Sequence, residues 1–64
     1  MTIVIKYVHH GESNIRTFSY QQYEDKYEWT FDGKDIHCGD ERTLNTIIST
    51  IGHNGSILNT SSME

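Results

Sequence analysis

The chain has 64 residues, a formal charge of −4 and one cysteine, Cys38. About 60 residues hide only ~60% of their unfolded surface, so this is one domain with a thin stability margin. An intrachain disulfide is excluded, no run approaches the ~20 apolar residues of a membrane span, and no basic-then-apolar leader is visible, so a cytoplasmic protein is expected.

Thr2 to His10 alternates as a strand does, with Ile3, Ile5 and Tyr7 on one side and Val4, Lys6 and Val8 on the other. Gly11-Glu12-Ser13-Asn14 reads as a turn, because glycine and asparagine tolerate positive φ. Ile15 to Tyr20 is then a second strand. A four-residue turn sets Tyr7 opposite Phe18 and Ile5 opposite Tyr20, which gathers the large apolar side chains on one face.

Tyr27 to Phe31 is the strongest strand signal, with Tyr27, Trp29 and Phe31 alternating against Glu28 and Thr30. Asp32-Gly33 follows at once, a favoured pair for a two-residue type I′ hairpin turn. That hairpin predicts Trp29 opposite Ile36, Tyr27 opposite Cys38 with its thiol in the core, and Glu28 opposite His37. Asp40 can cap a helix whose apolar stripe is Leu44, Ile47, Ile48 and Ile51. Gly52 is expected to end it in the left-handed conformation. Ile57-Leu58 would dock on the core or form a short edge strand.

The elements together predict an α+β fold: a four-stranded antiparallel sheet of two hairpins packed by one C-terminal helix, in the order β-β-β-β-α. The domain would span residues 1–58, followed by a flexible tail at 59–64. Strand order is left open.

Charge is uneven along the chain. Between Glu24 and Glu41 lie seven acids against Lys26 and Lys34. Nucleic-acid binders carry a basic stripe, because phosphate contacts supply most of their affinity, and that stripe is missing here. An acidic surface suits a basic protein partner. The expected contact residues are Tyr23, Glu24, Asp25, Glu28, Asp32 and Asp35. On the face opposite the helix, Val4, Val8 and Ile15 form an expected self-association patch for a homodimer.

Four histidines (His9, His10, His37 and His53) and Cys38 are numerous enough for zinc. Adjacent strand residues point to opposite faces, however, so neither His9 with His10 nor His37 with Cys38 serves one ion, and no metal or cofactor is expected. No nucleophile elbow and no phosphate-binding glycine loop occurs, so no catalytic residue is assigned. The reading is a small protein-binding or inhibitory module, not an enzyme. The alternatives are a nucleic-acid-binding sheet and a small His/Cys metal domain.

Overall fold

The computed structural model describes residues 1–63. Among them are strands β1 (Thr2–His9), β2 (Arg16–Tyr23), β3 (Lys26–Phe31) and β4 (Lys34–Gly39), helix α1 (Glu41–Asn54) and strand β5 (Gly55–Met63). All neighbours are antiparallel, in the order β4-β3-β2-β1-β5. The α+β class is as the sequence indicated, but the sheet has five strands where four were expected. The fifth follows the helix: most of the segment expected as a tail pairs with β1, Ile5 with Thr60 and Thr2 with Met63. Glu64, the last residue of that expected tail, lies outside the described residues. No described helix is long and apolar enough to cross a membrane.

The first hairpin differs from the expected register by two residues. Ile5 pairs with Phe18 and Ile3 with Tyr20, because the chain already turns at His10 and Gly11, where Glu12 N–H donates to the His9 carbonyl at 3.1 Å. Gly11 takes a φ of 86° there. Side chains alternate with period two, so an even shift leaves every residue on its expected face.

The second hairpin breaks that rule. Asp32 and Gly33 have φ of 55° and 74°, as a type I′ turn demands, and Phe31 pairs with Lys34. The register then slips by one residue at a bulge, so that His37 lies opposite Trp29, Cys38 opposite Glu28, and Gly39 opposite Tyr27. Asp35 absorbs the distortion with a φ of 42°. The odd shift turns the rest of β4 over. Ile36 is therefore 69% exposed. Cys38 is also exposed, 4.0 Å from a Glu28 carboxylate oxygen, and is not the core residue the hairpin pattern implied. The expected pairing of Glu28 with His37 is likewise lost. Gly39 supplies the physical reason: a Cβ there would come within 2.5 Å of the Trp29 ring. The bulge thus brings the one side-chain-free residue of β4 beneath the indole.

Ile5, Tyr7, Phe18, Trp29, Leu44 and Ile51 form the buried core, with Ile3, Tyr20, Tyr27, Phe31, Ile47 and Ile48 packed around it. The helix stripe therefore lies on the aromatic face, as its spacing indicated. Asp40 caps α1 by accepting from Thr43 N–H at 2.9 Å, and this bond holds its carboxyl below the usual aspartate value. Gly52 does not end the helix, which runs on to Asn54. The chain leaves it through Gly55, in extended conformation against the backbone of Val8 and His9.

Gly52 and Gly55, close neighbours in the chain, should therefore respond oppositely to alanine. Gly52→Ala meets open space inside the helix and is expected to stabilise by roughly 0.5–1 kcal/mol. A Cβ at Gly55 collides with the β1 backbone, so Gly55→Ala should destabilise by about 1–3 kcal/mol, the range for overpacking. Urea unfolding measures both. The bulge is tested by thiol chemistry: Cys38 in the native protein should react with a chromogenic disulfide as fast as in urea. Protection until unfolding would restore the unbulged register.

Candidate functional site

The helix starts after the lower end of β4, where Gly39 pairs with Tyr27, and delivers the chain to the upper end of β5, where Gly55 pairs with His9. It consequently runs diagonally over the aromatic face and leaves two opposite corners of that face uncovered. Each corner is concave, and the two differ in chemistry.

The upper corner is a cleft of about 360 Å³ whose sheet wall is Tyr7, His9, Arg16 and Phe31, with Thr50 and Asn54 among the helix residues opposite. The Tyr7 and His9 rings lie 5.3 Å apart. Arg16 is gripped by Glu12, its Nε and Nη2 each donating to a carboxylate oxygen at 3.1 Å. This pair is the one ion pair among the described residues, and it consumes most of the corner's positive charge. Burial pushes the Tyr7 phenol above the ordinary value of 10.0, and the nearby Asp32 charge adds to the rise, while Arg16 draws it the other way.

The lower corner is a groove of about 470 Å³ lined by Met1, Ile3, Tyr20, Gln22, Glu24 and Tyr27, with Gln21 beside them. Ile3, Tyr20 and Tyr27 are half-buried, and the two tyrosine rings stand 6.4 Å apart. Glu24 sits on its rim in the β2–β3 turn, at a φ of 58°. The corner thus combines an apolar floor, two aromatic walls and one carboxylate on its rim.

The six expected partner-binding residues do not come together. Tyr23, 61% exposed, sits with Glu24 and Asp25 at the lower end. Asp32 and Asp35 lie at the upper hairpin tip, separated from the others by the six residues of β3, about 20 Å of strand. Asp32 also ties the hairpin to β2. Its carboxylate accepts from Thr17 N–H at 3.1 Å, and its own N–H donates to the Thr17 carbonyl at 2.7 Å. Glu28 is half-buried on the open face beside Cys38.

The expected self-association residues are also dispersed. Val4 and Val8 are half-buried on the open face, with exposed Lys6 between them, and Ile15 is 63% exposed in the β1–β2 connection. Around them that face is polar, with Ser19 and Thr30 hydroxyls hydrogen-bonded at 2.8 Å and Thr2 Oγ1 donating to Gln21 Oε1 at 3.3 Å. Among the described residues no three His, Cys, Asp or Glu side chains converge as metal ligands. Sequence reasoning missed the lower groove because Ile3, Tyr20 and Tyr27 carry the same pattern as core residues; only the path of the helix decides which of them it covers.

The fold and its corners define a two-layer α+β domain, one helix on a five-stranded antiparallel sheet, with a concave aromatic groove that has Glu24 on its rim. Compared with protein-family models, curated proteins and solved structures, the chain matches none.

Tyr7 gives a pH test of the upper corner. Its raised folded-state value means that its contribution to stability is intact below the unfolded value of 10.0 and is lost as pH rises through the higher folded value. Thermal melts should show an alkaline loss of stability that Tyr7→Phe reduces.

Proposed function

We propose that this protein is a small binding or inhibitory module that holds a basic segment of a protein partner in its lower-corner groove. The observation that carries the reading is the groove itself: Tyr20 and Tyr27 standing half-buried beside Ile3, with Glu24 on the rim. Tyrosine in a concave site combines a large apolar surface with a polar tip and is over-represented among residues that dominate binding energy. Tyr23, the last residue of β2, and Asp25, in the turn beside Glu24, extend the contact outward. The net charge of −4 favours approach of a cationic surface.

Burial of Trp29 and Phe18 under α1 supports protein recognition over base stacking, since a stacking platform needs bare rings. The acids at the upper tip belong to a different surface in this reading, and Asp32 is engaged in holding the hairpin to β2.

Capture of partners from a native lysate, identified by mass, tests the assignment when the variants are compared. Tyr27→Ala should weaken retention of the specific partner by roughly 30-fold, the effect of losing about 2 kcal/mol at a central anchor. Glu24→Lys combined with Asp25→Lys should weaken it further at low salt than at high salt. Asp35→Lys, at the opposite tip, should leave binding unchanged. Loss on Asp35→Lys with full retention by the two groove variants would move the site to the hairpin tip.

A further inference from the structure

Glu24 is the one charged side chain in the lining of the lower groove, and it takes no part in the one ion pair among the described residues. The nearest basic residue in the chain, Lys26, lies on β3 at alternate positions with Glu28 and Thr30, which puts all three on the open face. Gln22 folds onto the same turn, its Nε2 donating to the Glu24 carbonyl at 3.5 Å, and its amide oxygen remains as a second acceptor. Tyr27 lies opposite Gln22, with its ring 6.4 Å from that of Tyr20 and tilted to it by 57°. Glu24 also holds a φ of 58°, a left-handed conformation that glycine or asparagine adopts more readily. Such strain persists mainly where a side chain serves a function.

We infer that the groove selects arginine: one arginine side chain of the partner's basic segment inserts there, its guanidinium against Tyr20 and Tyr27 and forked onto Glu24, its methylene stem over Ile3. The inference rests on the groove being the partner site and adds the identity of the side chain it takes. A lysine ammonium is a compact, strongly hydrated charge, and a groove of one carboxylate, one amide oxygen, rings and aliphatic carbon offers it little in exchange for its water. A guanidinium is flat and weakly hydrated. It lies against aromatic faces and gives two parallel N–H bonds to a single carboxylate.

Three blocked amino acids serve as probes: N-acetyl-arginine amide, N-acetyl-lysine amide and N-acetyl-citrulline amide, the last a neutral isostere of the first. Each is titrated at matched ionic strength into isotope-labelled protein and followed by NMR. The arginine probe should shift the Tyr20, Tyr27 and Glu24 resonances, the lysine probe should bind about fivefold more weakly, and citrulline should leave them in place. Glu24→Asn suits the left-handed turn position, so the fold is kept while the charge is lost, and the arginine probe should weaken about fivefold. Tyr27→Leu keeps an apolar wall without a π face and should cost about two- to fivefold. Lysine binding as well as arginine, citrulline shifting the same resonances, no shift by the arginine probe, or an arginine affinity unmoved by Glu24→Asn each overturns the selection of arginine. Partner capture that still depends on Tyr27 would then leave the groove as the partner site. Arginine shifts confined to the surroundings of Asp32 and Asp35 overturn both.

Discussion

Helix α1 has to join β4 to β5, and those strands are the two opposite edges of the sheet. Its 14 residues rise about 21 Å, close to the ~19 Å that four strand spacings occupy. A connection of that length cannot swing out into solvent and return. It must lie on the sheet, and its only apolar stripe, Leu44, Ile47, Ile48 and Ile51, must then face the strands. The packing of that stripe on Phe18, Trp29, Ile5 and Tyr7 is what holds an otherwise weak helix, since Thr43, Asn45, Thr46, Ser49 and Thr50 contribute little propensity.

Much of this was legible in the residue pattern, and the limits have identifiable causes. The shared face of Tyr27, Trp29 and Phe31 with the helix stripe follows from period-two and period-3.6 spacing alone. The first hairpin slipped by two residues without consequence, because parity protects the faces. The second slipped by one at Asp35, and this single insertion moved Ile36 and Cys38 from the expected interior to solvent. Nothing in Lys34 to Gly39 announces a bulge except Gly39, whose meaning depends on where the Trp29 ring lies. Strand β5 was the least visible element. Its polar residues from Asn59 to Ser62 show no alternation, and the backbone ladder to β1, which any residue except proline can make, accounts for their place in the sheet.

The functional surface was less legible than the fold. Acids that run close together from Glu24 to Asp35 suggest a patch, but a strand intervenes, and extended chain carries charges apart faster than any other conformation. Turn residues at the two ends of β3 thus belong to opposite poles of the molecule. The groove has the converse character: Ile3, Tyr20 and Tyr27 are distant in sequence and meet because β1, β2 and β3 are neighbours. Their partial exposure is a property of the helix's diagonal course.

One helix covers one face, so a sheet of this kind must settle its second face some other way. Thr2 with Gln21 and Ser19 with Thr30 settle it with side-chain hydrogen bonds across the strands, and Thr17 adds a further hydroxyl-bearing side chain. Val4, Val8 and Ile36 interrupt them singly. A polar, internally hydrogen-bonded face offers little apolar area for recognition. Recognition is thereby pushed to the features the covering helix cannot reach: the corners that its diagonal leaves open. The same geometry that secures a core in so short a chain also determines where its surface can meet a partner.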